Sequence, residues 1–313
     1  MFRTRCFGCV CAFFLLSCLA FAQQPAAEKA SEPGSAEDFV KQGEKLSQAG
    51  KQDEALAMYS KAFDMAGDMY EAHLGAGAAL DLKGDYDAAQ DHFTKAIELA
   101  SPEQRPQALR SMAFSYAFRG DGAKAAEYEL KLFMARSAKE DFVGAAETCN
   151  ETARIFLETG DIENADKWYT LGHETIGRKT DLKENEKNLW LFRWESAQAR
   201  LAARRGKNAD AQQHVAAAKT VLDKLNDPDQ TRFYPYLTGY VAFYAGDYKT
   251  AINELQKADQ RDPFILVLLA QSFERFGDGV KAKEYYRKVL AINYHNPTNA
   301  FARPLAKKKL AGA

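Results

Sequence analysis

Residues 84–96 read GDYDAAQDHFTKA, and residues 246–258 read GDYKTAINELQKA. Both stretches begin with Gly-Asp-Tyr, place alanines five and twelve residues after the glycine, and place a large apolar residue nine residues after it. Related copies begin at Gly160 and Gly277, and the turn glycines along the chain lie 31 to 46 residues apart. A helical sequence that repeats at such a period is typical of a solenoid built from helix pairs.

Each feature that recurs in the copies has a physical reason. Small residues such as Ala89 and Ala251 let two antiparallel helices approach closely, and a larger side chain there would overpack the crossing. A glycine at the turn adopts the left-handed conformation that ends a helix. The aspartate that follows it, for example Asp85, is expected to cap the next helix by accepting a backbone N–H.

These copies resemble the tetratricopeptide repeat, a helix–turn–helix unit of about 34 residues. The resemblance extends over nearly all of residues 36–313. It implies an all-α fold, a right-handed superhelical solenoid of about seven stacked antiparallel helix pairs. The repeat pattern stops after Asn293, and a short C-terminal helix ending in Lys307–Lys309 is expected to cap the apolar edge of the final pair.

The N-terminus has a different character. Arg3 and Arg5 precede an apolar run over residues 7–21, and Ala20-Phe21-Ala22 is a small-x-small cleavage site, so residues 1–22 are interpreted as a signal peptide. Residues 23–35 contain no large apolar side chain and are interpreted as a flexible linker before the repeat domain at 36–313. We therefore expect an exported protein, periplasmic or secreted, without a membrane span after processing.

Two alternatives to simple export stay open. The apolar run would be kept as a membrane anchor if cleavage did not occur. Leu15-Leu16-Ser17-Cys18 loosely resembles a bacterial lipobox, which would make the protein a membrane-anchored lipoprotein through Cys18.

The sequence gives no indication of catalysis or of a cofactor. After removal of the leader only Cys149 remains, in apolar helical surroundings that favour a buried, unreactive thiol. The five histidines are scattered, and neither a glycine-rich phosphate loop nor a Gly-x-Ser-x-Gly motif occurs. A formal net charge of −1 argues against nucleic-acid binding, which requires a basic field. We therefore expect no enzyme, no cofactor, no metal and no nucleic-acid partner.

The family resemblance implies that the first helices of successive pairs line a concave groove, where a protein or peptide partner binds. The sixth unit adds an aromatic stripe at three- and four-residue steps, which is either a recognition surface or the filling of a helix seam. Lys and Asn at the usual two-carboxylate clamp positions are absent, since Val40 and Glu44 stand there. The predicted partner-binding residues are Arg110, Asn150, Arg154, Arg193, Arg200, Phe233, Tyr236, Tyr240 and Phe243.

The sequence thus favours an exported, non-enzymatic scaffold that binds a protein or peptide segment in the groove of a helical solenoid. One alternative is a lipid-anchored lipoprotein that assembles an envelope complex. Another is a binder of glycans or small ligands that uses the tyrosine-rich sixth unit.

Overall fold

A computed structural model of the chain describes residues 34–225 and 227–312. Sixteen helices, and no strand, occur in these two ranges. They are α1 (Ala36–Gln48), α2 (Gln52–Ala66), α3 (Tyr70–Lys83), α4 (Tyr86–Leu99), α5 (Arg105–Arg119), α6 (Gly122–Ala138), α7 (Phe142–Thr159), α8 (Ile162–Gly177), α9 (Glu184–Arg204), α10 (Asn208–Leu225), α11 (Pro228–Thr231), α12 (Tyr234–Tyr244), α13 (Tyr248–Leu255), α14 (Pro263–Phe276), α15 (Gly279–Leu290) and α16 (Pro297–Leu310).

The helices are arranged as seven consecutive pairs. They are α1/α2, α3/α4, α5/α6, α7/α8, α9/α10, α12/α13 and α14/α15. The second helix of each pair packs on the first helix of the next, and α1 contacts α3, α3 contacts α5, α9 contacts α12 and α12 contacts α14. The first helices therefore form an inner layer, and the predicted solenoid of stacked helix pairs is confirmed.

The turns between paired helices follow the chemistry of the repeated motif. Gly84 has φ of 98° and ends α3 in the left-handed conformation, and Gly160 does the same for α7 with φ of 102°. The aspartate after the turn accepts a hydrogen bond from the first turn of the next helix, as predicted. These caps are Asp85 to the N–H of Ala88, Asp121 to Lys124, Asp161 to Asn164, Asp247 to Thr250 and Asp278 to Lys281.

The first helix of a pair crosses the second at residues with small side chains. A Cβ atom added to Gly77 would lie 2.8 Å from the ring of Phe93, which is too close for a real contact. Phe93 is fully buried and packs beside Ala89, which is also fully buried. The aromatic ring of the second helix therefore occupies the space that a larger residue of the first helix would need.

The helical domain begins with α1 at Ala36, next to its capping residue Ser35. Ser35 caps α1, since its hydroxyl accepts the N–H of Asp38 and the Asp38 carboxylate accepts the N–H of Ser35. The predicted signal peptide at 1–22, and the predicted linker except for its last two residues, lie outside the described residues. None of the described helices is both long and apolar enough to cross a membrane.

The C-terminal helix α16 does more than cap the last pair. Ala302 and Ala306 pack against the apolar core of α14 and α15, which is the predicted capping contact. Helix α16 also contacts α5 and α7 in the middle of the solenoid, and Ala300 is buried in a core cluster with Leu82 and Phe118. The C-terminal segment therefore runs across the concave surface from the last pair back to the second and third pairs.

Arg303 is the main polar anchor of α16. Its guanidinium donates hydrogen bonds of 2.8 to 3.1 Å to the backbone carbonyls of Leu82, Leu290 and Ile292. Lys307 donates to the carbonyls of Leu82 and Lys83. Because these carbonyls lie at or just beyond the C-terminal ends of α3 and α15, the two cations also interact with the negative ends of two helix dipoles.

A second contact lies in the segment just before α16. His295 Nε2 lies 2.8 Å from Asp81 Oδ2, and Ser115 donates a 2.8 Å hydrogen bond to Asp81 Oδ1. The imidazole is surrounded by the rings of Phe93, Phe114 and Phe118. Asp81 is buried, so its carboxylate depends on these two partners for compensation.

We expect Arg303→Met to release α16 while the seven pairs stay folded. The variant loses three hydrogen bonds from a charged donor, so backbone amides of α16 should exchange with solvent deuterium about tenfold to a hundredfold faster. Lys308→Met is the matched control, because Lys308 is exposed on the same helix. Equal exchange in the two variants, measured by hydrogen–deuterium exchange mass spectrometry, would show that apolar packing alone holds α16.

Candidate functional site

A cavity of about 570 Å³ opens on the concave surface between α7, α9, α12 and α16. Three inner helices form one wall, and the beginning of α16 forms the other. Its lining residues are Glu147, Asn150, Glu151, Arg154, Tyr169, Phe192, Arg193, Ser196, Arg200, Gln230, Arg232, Phe233, Tyr236, Leu237, Asp259, Asp262, Ile265, Pro297, Thr298 and Phe301. Six of the nine predicted site residues are among them: Asn150, Arg154, Arg193, Arg200, Phe233 and Tyr236.

Helical spacing explains why α9 contributes its polar residues to this cavity. Arg193, Ser196 and Arg200 recur at three- and four-residue steps, which places them on one face of the helix. Arg193 lies 3.5 Å from the carboxylate of Glu147 on α7 and stacks over the ring of Trp190. Two neighbouring inner helices thus meet across the cavity through charged side chains.

Arg154 connects the α7 wall to the aromatic side chains of α12. Its guanidinium pairs with Glu158 at 2.8 Å, donates to the hydroxyl of Tyr236 and lies 4.7 Å from the centre of the Phe264 ring. Glu158 is buried and also pairs with Arg204 at 3.2 Å. Because the Glu158 carboxylate is shared by two arginines, this network holds the floor of the cavity in place.

Tyr240 and Phe243 lie away from the cavity, although they belong to the same predicted stripe. Tyr240 is 0% exposed, and its hydroxyl lies 3.3 Å from Glu158, to which it donates. Phe243 is partly buried against Tyr244 and Tyr248. These two rings fill the seam between helices, whereas Phe233 and Tyr236 lie at the cavity.

Arg110 lies beside the cavity and not in its lining. It forms a two-point ion pair with Glu151 through Nε and Nη2, and Glu151 itself lines the cavity. The Arg110 guanidinium also stacks 5.1 Å from the centre of the Phe114 ring. Arg110 therefore acts on the cavity through Glu151.

A buried carboxyl group lies behind this ion pair. Glu129 on α6 is 0% exposed, and neither of its oxygens has a hydrogen-bond partner among the described residues. Burial raises its pKa well above the ordinary value of 4.5, and the nearby Glu151 carboxylate raises it further, while Arg110 and Arg136 oppose the change. Above pH 4.5 the unfolded chain loses this proton but the folded chain keeps it, so the free energy of unfolding falls as the pH rises towards the folded pKa.

We expect Glu129→Met to raise the free energy of unfolding at pH 7 by about 1–3 kcal/mol, because an uncompensated polar group leaves the core. The gain should increase with pH from 4.5 upwards and be smallest in acid, as measured by urea unfolding at several pH values. Glu127→Met, on the exposed face of the same helix, should change the stability by no more than about 0.5 kcal/mol. A gain that does not depend on pH would contradict the assignment of a raised pKa to Glu129.

The remaining reactive groups offer little chemistry. Cys149 is a buried free thiol, as predicted, and burial raises its pKa to about 12, with a smaller contribution from the Glu129 carboxylate once that group is ionised. His73 on α3 and His92 on α4 meet with their Nδ1 atoms 2.9 Å apart. No group of three or more His, Cys, Asp or Glu residues suited to a metal ion occurs in the described ranges.

Part of the cavity was not anticipated from the sequence. Asp259 and Asp262 come from the connection between α13 and α14, and Pro297, Thr298 and Phe301 come from the C-terminal segment. The repeat period assigns faces to the paired helices, but it says nothing of these connections. The one indication in the sequence is that the repeat pattern stops after Asn293, which shows that the last segment does not continue the series of helix pairs.

Part of the sequence matches a known family model. Residues 70–102, which cover α3, α4 and the start of the following turn, match the family model described as tetratricopeptide repeat. A comparison with curated proteins finds no match.

Solved structures with a similar fold include the following two. One is a tetratricopeptide repeat protein from Parabacteroides merdae, which is 12% identical, has a TM-score of 0.51 and aligns over 88% of this chain and 97% of its own. Another is the apo form of RapI, which is 13% identical, has a TM-score of 0.56 and aligns over 89% of this chain and 99% of its own. At these identities the likeness concerns the fold.

Proposed function

We propose that this chain, a tetratricopeptide-repeat protein by its sequence at residues 70–102 and by its fold from residue 35 onward, is an exported scaffold for a protein or peptide segment. The segment would bind in the cavity between α7, α9, α12 and α16. The fold itself indicates a protein-interaction scaffold, and the location of the site and export are the parts that we add.

The cavity is the observation that carries this proposal. Its volume lies within the range of about 300–1,000 Å³ that is typical of ligand pockets. Phe233 is 41% exposed at its edge and lies beside Arg232, while Asn150 and Arg193 supply polar groups in the wall. A surface that combines an accessible ring, arginines and an amide suits a short peptide, whose backbone and side chains need both kinds of contact.

The C-terminal segment occupies part of the other half of the groove. It lies against the second and third pairs, where Arg303 and His295 are held, and a cavity of about 520 Å³ remains between residues 293–295 and the inner helices α1, α3 and α5. The cavity between α7, α9 and α12 remains open on the far side of α16. A partner segment would therefore lie against Phe301 and the inner helices of the fourth to sixth pairs.

We propose no catalytic activity. Cys149 is buried with a raised pKa, Arg154 is paired with Glu158, and Arg193 is paired with Glu147. Tyr240 and Phe243 pack between helices and leave a small aromatic surface, so we favour a peptide over a glycan as the ligand.

Export rests on the N-terminal sequence. We expect the protein isolated from the periplasm or the medium to begin at Gln23, because Ala20-Phe21-Ala22 fits the cleavage preference of signal peptidase. Intact-mass measurement checks this. A retained leader, or the mass of a diacylglycerol on Cys18, would contradict this prediction and favour the membrane anchor or the lipoprotein.

We expect that the binding of peptides selected from a random displayed library depends directly on Phe233 and not on the buried Tyr240. Phe233→Ala should weaken peptide binding by about 1–2 kcal/mol or more, and it should leave the melting temperature nearly unchanged because the ring is accessible. Tyr240→Ala should lower the melting temperature, since it removes a fully buried ring and a hydrogen bond to Glu158.

Phe276→Ala serves as the matched control, because Phe276 is an exposed phenylalanine at the end of α14 and outside the cavity. Binding is measured by isothermal titration calorimetry on each purified variant. If Phe233→Ala and Phe276→Ala bind the selected peptides equally well, the partner segment does not lie in this cavity.

A further inference from the structure

An open apolar cavity lies at the turn of the seventh pair, where α14 ends and α15 begins. It has a volume of about 570 Å³ and is lined by residues of α13 and of this turn. Ile252 and Phe273 in its lining are buried, whereas Phe276 is 59% exposed and Val280 is 82% exposed. Large apolar side chains that are exposed together around a cavity are typical of an interaction surface.

The same part of the chain is strongly basic. Residues 263–313, which include the seventh pair and α16, contain nine Lys and Arg but three Asp and Glu, a formal charge of +6. Residues 1–262 contain 33 Lys and Arg and 40 Asp and Glu, a formal charge of −7. The net charge of −1 therefore conceals an asymmetry that indicates an anionic partner for the C-terminal part.

Basic side chains lie next to the exposed apolar residues. Lys249 and Lys281 line the same cavity, and Arg275 directly precedes Phe276. All three basic residues are exposed. Lys249 and Arg275 form no ion pair within the described ranges, so their charges act on whatever approaches this surface.

Helices α15 and α16 extend the basic surface. Helical spacing places Lys283 and Arg287 on the same exposed face of α15 as Val280. Lys309 on α16 pairs with Glu274 at 2.8 Å, which brings the lysine-rich end of α16 close to the turn.

The three acidic side chains of residues 263–313 are engaged within the protein. Asp278 caps α15, Glu274 pairs with Lys309, and Glu284 pairs with Lys288 at 2.6 Å. The surface around the turn of the seventh pair is therefore positive, with an apolar centre.

We propose that this surface, formed by Phe276, Val280 and the basic residues around them, docks the protein on a bilayer that contains anionic lipids. Stable docking needs two contributions, apolar side chains that enter the bilayer interface and cations that attract the lipid headgroups. The surface supplies both. An exposed valine contributes nothing to phosphate contacts or base stacking, so lipid is favoured over nucleic acid.

The docking surface adds an activity to the function proposed above. Its cavity shares no lining residue with the cavity between α7, α9, α12 and α16. The acidic remainder of the chain is repelled by anionic headgroups, so the charge asymmetry turns the seventh pair towards the bilayer. A scaffold docked in this way holds its bound segment close to the membrane surface.

The test is sedimentation with lipid vesicles. The protein used begins at Gln23, so that the apolar run over residues 7–21 does not itself bind lipid, and it keeps every helix that the structure describes. We expect it to bind vesicles of phosphatidylcholine with about 30% phosphatidylglycerol, and to bind pure phosphatidylcholine about tenfold more weakly or worse. Raising the salt to about 0.5 M NaCl should weaken binding to the anionic vesicles, because the attraction is screened.

Two variants address the two contributions. Phe276→Ala should bind the anionic vesicles about threefold to tenfold more weakly, because less apolar surface enters the bilayer. Lys281→Gln combined with Lys283→Gln should weaken binding about fivefold to twentyfold, since two charges are removed. Both variants should keep the melting temperature nearly unchanged, because the altered side chains are exposed.

The matched controls change exposed residues of the third pair. They are Met134→Ala, which removes a side chain that is 61% exposed, and Lys131→Gln combined with Lys139→Gln. Neither control should alter vesicle binding by more than about twofold.

Insertion of the turn is measured with a fluorescent label. The environment-sensitive NBD group is attached to Phe276→Cys and, as the control, to Met134→Cys, while the buried thiol of Cys149 stays unlabelled. Anionic vesicles should raise the emission at position 276 by about twofold or more and leave that at position 134 unchanged.

The docking surface is overturned if the protein does not bind anionic vesicles, if phosphatidylcholine binds equally well, or if the variants bind like their controls. Binding of duplex DNA as tightly as anionic vesicles, with no added NBD emission at position 276, would assign the basic residues to polyanions in general and reject the lipid. The peptide scaffold is tested separately, because Phe276→Ala is expected to keep the selected peptides while it loses the vesicles.

Discussion

The close crossing of paired helices is the constraint on which the rest of the structure depends. At Gly77, and likewise at Gly43 and Gly239, an added Cβ would lie within 3 Å of a side chain from the second helix of the pair, so the first helix must present no side chain there. This contact fixes the rotation of the first helix about its axis. Once the rotation is fixed, a neighbouring face of the same helix lies towards the groove, and in α12 that face carries Tyr236.

The features that could be predicted from the sequence are those that depend on contacts within one helix or between two adjacent helices. The helix pairs, the left-handed glycines and the aspartate caps arise from local geometry, and six of the nine predicted site residues share one cavity because helical spacing assigns them to one face. Tyr240 shows where this reasoning ends. A period tells which direction a side chain points, but the depth at which it lies depends on how closely the next pair, with Phe264, packs against it.

The position of α16 could not be predicted from such local contacts. Its sequence contains alanines and lysines suited to a cap, and it does cap α14 and α15. The partner of Arg303 at α3 is the backbone carbonyl of Leu82, which carries no sequence signature and lies more than two hundred residues away along the chain. The same limit applies to the wall of the cavity that Phe301 forms, since the cavity exists only when this segment crosses the concave surface.

The hydrogen bonds from Arg303 and Lys307 to the end of α3 also affect the cooperativity with which this chain folds. A solenoid with nearest-neighbour contacts alone gains stability pair by pair, and each pair can form as soon as its residues emerge. Helix α16 packs against the second, third and seventh pairs at once, so its docking closes a loop that spans most of the chain and carries the entropy cost of that closure. That closure links distant pairs into one cooperative unit, and a chain cut short before residue 293 would lose the link without losing any repeat.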